Sequence, residues 1–150
     1  MADLQQEKEL VLDFLNNIDK AENKLLAETI SKYTSDDFHM RCTHPFNELK
    51  GADNVANDLW IPIKNSFKPI QRRMDIFYAG TNLIDNHSSK WVVNMGHLLG
   101  IFNNPFLGIV PTRKAVMLWY CEFYRVENNK ITEGAFFLDI LKFMQQLQLP

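Results

Sequence analysis

The hydrophobic and polar positions along this chain change period twice, and those changes mark out the elements. Leu10, Val11, Phe14, Leu15 and Ile18 recur at helical spacing and form one apolar stripe. Asp3 followed by Gln6 gives a capping-box pattern for the start of that helix, and Asp19 with Glu22 repeats the signal. Leu25, Leu26, Thr29, Ile30 and Tyr33 then carry a second helix, packed on the first as a hairpin. Phe38 to His44 reads as a short strand that Pro45 ends. A third helix is predicted from Asp53 to Phe67, with Val55, Leu59, Ile63 and Phe67 at spacings of four. Pro62 falls inside it and should kink or split it.

From Ile70 the period becomes two. Arg72, Met74, Ile76 and Tyr78 alternate with Gln71, Arg73, Asp75 and Phe77, as on a strand with one partly wet face. Gly80 to Asn82 suggests a bulge, and Asp85 to Ser89 a hairpin loop. Lys90 to Phe102 is apolar on both faces, with Gly96 and Gly100 inside it where a sheet would bend sharply. A loop over Asn103 to Val110 leads to another two-faced apolar strand, Ala115 to Val126. The turn Glu127 to Lys130 precedes a last strand and a short closing helix that ends near Leu147. Three helices, a long antiparallel meander and a closing helix predict an α+β domain, its curved sheet folded over helices around a hollow.

Composition narrows the class. At 150 residues the length suits a single domain spanning 1–150, and 46% hydrophobic content is enough for a sizeable core. The net charge of -2 argues against nucleic acid as a partner, because phosphate binding needs a basic surface. Arg72-Arg73 is too short a basic run to change that. Two cysteines, Cys42 and Cys121, do not make a disulfide framework. MADLQQEKEL has neither the basic nor the apolar region of a secretory leader, and no run is long enough for a membrane span, so no membrane association and a cytoplasmic location are expected. No phosphate loop, dinucleotide fingerprint, HExxH or nucleophile elbow is present. No cofactor is expected. Cys42 and His44 share a strand face, but two ligands without a third predict no metal site.

Two ionisable groups stand alone in apolar surroundings, His97 and Asp139. A lone ionisable group is costly to bury unless it is partnered or its pKa moves, which makes both candidates for chemistry. Asp139, at a strand-to-helix junction, is either a pocket-facing acid/base or the N-cap of the closing helix. Strand parity puts Met95 on the face of His97 and Phe137 on the face of Asp139. Trp60, Met95, Trp119 and Phe137 are therefore expected to wall a cavity, with His44 near its mouth.

The order of elements resembles the NTF2-like superfamily of cone-shaped α+β barrels, and within it the SnoaL-like polyketide cyclases. The residues that carry the resemblance are Gly51, Leu59 to Pro62, Ser66-Phe67, Gly96 to Gly100, Gly108 to Thr112, Phe123 to Val126, Asn129 to Ile131, and Asp139 to Leu147. The resemblance implies a cofactor-independent cyclase or isomerase acting on a hydrophobic carbonyl compound. Asp139 would be its acid/base in an intramolecular aldol closure, and His97 would polarise the carbonyl oxygen. This chain has Gly134-Ala135 where the family often carries His-Trp, and Arg113 where glycine usually follows Pro-Thr. The same scaffold hosts non-catalytic binders of small molecules or proteins, so a binding module is the alternative. The two-faced apolar strand Ala115 to Val126 also implies a homodimer through the outer sheet face.

Overall fold

Apolar stripes set the first layer of the fold. The computed structural model describes residues 3–147. Helix α1 (Gln5–Lys20) buries Val11, Phe14, Leu15 and Ile18, the stripe read from the sequence, and α2 (Asn23–Tyr33) buries Leu26 and Ile30. Neither capping box forms. Leu4 precedes α1 in a left-handed conformation with no side-chain cap, and Asp3 instead pairs with Lys8 at 3.1 Å. Glu22 stands at the start of α2 without a capping bond, because Asp19 is turned to a partner on the sheet. The end of α1 is closed by Lys64, whose Nζ donates to the carbonyls of Ile18 and Ala21 at 2.7 and 2.6 Å.

Pro62 splits the third helix as its missing N–H requires. Helix α3 (Gly51–Val55) widens into a π turn over Ala56–Trp60, and α4 (Ile61–Ser66) follows with Pro62 in its first turn. The widened turn aims Leu59 and Trp60 into the core, where Trp60 is 3% exposed. The helical run stops at Ser66, and Phe67 opens the next strand.

Six strands form one sheet in the order β2-β1-β6-β5-β4-β3. They are β1 (Thr34–Cys42), β2 (Glu48–Lys50), β3 (Phe67–Thr81), β4 (Lys90–Phe102), β5 (Ala115–Glu127) and β6 (Lys130–Leu138). β3 to β6 make the expected antiparallel meander, but β1 joins β6 in parallel, so the sheet is mixed. Helix α5 (Ile140–Gln146) closes the chain and buries Phe143 against Phe67, Phe102 and Phe106. Among the described residues, no helix is long and apolar enough to cross a membrane.

Parity along β4 and β5 decides what faces the helices. Even-numbered residues point inward: Val92, Asn94 and Leu98 on β4, and Leu118, Tyr120, Glu122 and Tyr124 on β5 are all buried. Gly96 belongs to this inward row, and a Cβ there would run into the backbone carbonyl of Arg73 on β3. β3 carries an irregularity between Met74 and Ile76. Its effect is to move the face change by one: Ile70, Met74, Phe77 and Ala79 pack on the core, whereas Ile76 and Tyr78 are exposed. The simple alternation expected from Arg72 to Tyr78 is corrected at that point.

Candidate functional site

The inward row brings together a polar cluster inside an otherwise apolar cone. Arg72 enters from β3 with its side chain 2% exposed, and Glu122 from β5 with none. Arg72 Nη1 donates to Glu122 Oε2 at 2.9 Å, while Nε and Nη2 donate to the two Asp19 oxygens at 2.8 and 3.2 Å. The guanidinium lies 5.1 Å from the ring centres of both Trp60 and Tyr120, so two aromatic faces hold it. Asn94 Nδ2 donates to Glu122 Oε2 at 2.9 Å, and the Tyr120 hydroxyl donates to Asn94 Oδ1 at 3.3 Å.

One arginine serves two carboxylates here. Asp19 keeps contact with water at the end of α1, but Glu122 is fully enclosed. Burial therefore pushes the Glu122 carboxyl above its ordinary value, with Arg72 opposing. The same attraction from Glu122 and Asp19 outweighs burial at Arg72 and fixes its charge. Among the described residues, five buried side-chain polar atoms lack a well-formed hydrogen bond, and three of them are in this interior: Glu122 Oε1, the Trp60 indole nitrogen and the Tyr124 hydroxyl. Nearly all buried polar groups are satisfied in folded proteins, and here the Tyr124 hydroxyl is placed toward Glu122 while the Trp60 N–H is left open. A small cavity of about 40 Å³ lies on the Trp60 and Arg72 side of this cluster, lined also by Asp19, Ile63, Lys64 and Leu98.

Of the residues singled out from the sequence, only Trp60 is in this interior. Met95, Trp119 and Phe137 were expected to wall it, but they occupy the opposite parity and stand on the outer sheet face, 39%, 39% and 45% exposed. His97 shares that face. Its ring lies 5.3 Å from Trp119, and Nδ1 is 3.6 Å from Asp75, too far for a hydrogen bond. Asp139 is exposed and accepts the Lys142 N–H at 2.9 Å, which makes it the N-cap of α5 and takes it out of the cone. His44 is exposed in the turn after β1, next to Pro45, which lines a shallow hollow with Phe46 and Phe106. Among the described residues, no group of three His, Cys, Asp or Glu side chains is placed to hold a metal ion.

The sequence did carry a signal for the missed residues. Glu122 is an isolated carboxylate in AVMLWYCEFYRV, in step with Leu118, Tyr120 and Tyr124, and Asn94 stands likewise between Val92 and Leu98. The test that singled out Asp139 applies to Glu122 with more force, because both neighbours on its face are aromatic.

The second concavity lies on the outer face, at the end where β3 finishes and β4 begins. It measures about 670 Å³, and its floor is Trp91, Val93, Phe123 and Phe137.

No protein-family model matches the sequence, and no curated protein matches it either. Solved structures do match in fold. A proposed polyketide cyclase from Acidithiobacillus ferrooxidans superposes with a TM-score of 0.75 at 16% identity, covering 99% of this chain and 98% of that one. A proposed SnoaL-like polyketide cyclase from Jannaschia sp. CCS1 gives 0.74 at 16% identity, with 97% and 93% covered. AclR from Streptomyces galilaeus, a proposed hydroxylase, gives 0.72 at 20% identity, with 99% and 85% covered. The chain has the α+β fold of the NTF2-like superfamily, in the form taken by SnoaL-like polyketide cyclases. At these identities the likeness is one of fold.

Proposed function

We propose that this protein is a cofactor-independent enzyme of the cyclase or isomerase type, acting by acid–base chemistry on a small carbonyl compound at the Glu122 cluster. One observation carries the reading: Glu122 is wholly buried, and Arg72 and Asn94 both bond to its Oε2, leaving Oε1 outside those bonds in the same interior as the unpartnered Trp60 N–H. A carboxyl raised by burial is suited both to take and to return a proton. Ionised Glu122 would remove a proton from the carbon next to a carbonyl. The electron pair moves to the carbonyl oxygen, and the Trp60 N–H is the free donor for that enolate. In a cyclisation the enolate carbon then bonds to a second carbonyl carbon, and the new alkoxide takes the proton back from Glu122. Arg72 acts as a positioning residue, since three of its five N–H donors are held by Glu122 and Asp19. In this reading Asp139 keeps its capping role, and the catalytic one passes to Glu122.

The test is proton exchange. 2-Tetralone in deuterated buffer, followed by proton NMR, should lose its α-proton signals faster with the protein than without. Glu122→Gln should abolish that gain. Exchange that is absent, or unchanged in the variant, overturns the reading.

The volumes favour a second reading, a binding module without chemistry. An interior of about 40 Å³ holds little more than water, whereas small-molecule sites commonly span about 300 to 1,000 Å³. Rapid exchange of 2-tetralone would remove this alternative. In both readings a second copy of the chain covers Ile76, Met95 and Trp119, each about two-fifths exposed on the outer face beyond the hollow. Sedimentation showing a monomer at micromolar concentration would remove the dimer.

A further inference from the structure

The outer sheet face carries a second site. Strands from β1 across to β3 contribute residues to the hollow at its end. Its floor is apolar and ordered. Phe123 and Phe137 meet edge to face, with ring centres 6.0 Å apart, and Val93 lies beside Phe123 in the β4–β5 register. The Trp91 indole is fixed from behind, where its N–H donates to Ser89 Oγ at 2.9 Å. Tyr78, 55% exposed, forms the wall on the β3 side.

The opposite wall is a cation. Arg41 lies on β1, and its Nη2 donates to Glu133 Oε1 at 2.6 Å. That bond orients the guanidinium yet uses one of its five N–H donors. Glu133 is itself shared, with Arg125 at 4.0 Å and His39 at 3.8 Å. Arg125 also lies 3.9 Å from Glu127, so Glu133 is shared rather than devoted to Arg41, and four of the Arg41 N–H donors stay open to a ligand. The Arg41 side chain is 59% exposed and free to meet a ligand.

We propose that this hollow binds a hydrophobic carboxylate, with its ring or chain on Trp91, Phe123 and Phe137 and its carboxylate on Arg41. A volume of about 670 Å³ lies within the range of small-molecule sites. A mostly apolar lining with a single convergent charge is the composition such sites have, and a planar guanidinium matches a carboxylate in two-point geometry. This site is separate from the Glu122 cluster, so its failure would leave the acid–base reading standing.

The probe is 1-naphthylacetate, with 2-(1-naphthyl)ethanol as its uncharged counterpart. Both are titrated into the full chain while backbone amide shifts and the Trp91 indole N–H signal are followed. The expected result is saturable binding of the acid, with shifts at Arg41, Trp91, Phe123 and Phe137. Arg41→Gln should weaken the acid about tenfold, the loss of one charge-assisted hydrogen bond, and leave the alcohol unchanged. Because Arg41 is largely exposed, that variant should fold, and its amide spectrum checks this. Three results overturn the proposal: no saturable binding of the acid, equal loss of acid and alcohol in Arg41→Gln, or shifts confined to Trp60 and Glu122. A fourth is acid binding that disappears as the chain self-associates, which would make the occupant a second copy.

Discussion

Arg72 and Glu122 form a 2.9 Å ion pair inside the cone, with both side chains essentially shut off from water. Removing one partner should therefore cost far more than removing both. Arg72→Met leaves a buried carboxylate without its cation, and the expected loss is about 3–5 kcal/mol in urea denaturation. Adding Glu122→Gln to Arg72→Met should recover a large share of that loss. A double variant no more stable than the single one would mean the pair is not energetically coupled.

That pair also shows what was legible in the sequence and what was not. The α1 stripe, the strands of the meander and the split at Pro62 all follow from local pattern. Strand parity correctly grouped Met95 with His97, whereas Asp139 lies past the end of β6 as the cap of α5. It gave no way to tell which face of β4, β5 and β6 would meet the helices, since both faces are apolar. The polar residue on the wet-looking strand resolves the question in hindsight. Arg72 shares a row with Ile70 and Met74, and reaches the interior because Asp19 and Glu122 wait there from distant parts of the chain. The irregularity after Met74 and the parallel pairing of β1 with β6 depend on tertiary packing and leave no local mark.

Gly96 should tolerate no side chain. Its backbone lies so close to β3 that an added Cβ would meet the carbonyl oxygen of Arg73, and backbone cannot move aside as a flexible side chain can. Gly96→Ala should lower stability by about 1–3 kcal/mol. Gly80, with nothing near its missing Cβ, is the control, and Gly80→Ala should be close to neutral. Thermal melts of the two variants test the contrast.

Cys42 should be slow to react. Burial, with a smaller contribution from Glu122, pushes its thiol up to about 12. Only the thiolate attacks an alkylating reagent, so at pH 8 the reactive fraction is very small. Iodoacetamide labelling followed by peptide mass spectrometry should find Cys42 largely unmodified in the native chain and modified in urea. Glu122→Gln should increase the native rate.

Asp139 should behave as a cap. Asp139→Ala removes the acceptor of the Lys142 N–H, and should cost about 1 kcal/mol. Asp139→Asn should be nearly neutral, because asparagine caps a helix equally well. Denaturant midpoints separate the two. If Asp139→Asn were to remove 2-tetralone exchange while leaving stability intact, the catalytic role would return to Asp139.

The pH dependence of stability should carry the mark of Glu122. Its carboxyl is raised by burial above the ordinary glutamate value of 4.5, so above that pH the folded chain holds a proton that the unfolded chain has released. Stability then falls as pH rises from 4.5 through the folded-state value, because the native state binds more protons than the unfolded one. Glu7 acts in the other direction. Its bond to Lys90 lowers its carboxyl, so its contribution is lost as pH falls below 4.5. The two windows do not overlap, and a variant can separate them. Glu122→Gln should flatten the decline above 4.5 while leaving the acid limb intact, and Glu7→Gln should flatten only the acid limb. Denaturation at one-unit pH steps measures both. A decline above 4.5 that is unchanged in Glu122→Gln would show that the Glu122 carboxyl is not raised on folding, and would remove the basis for its acid–base role.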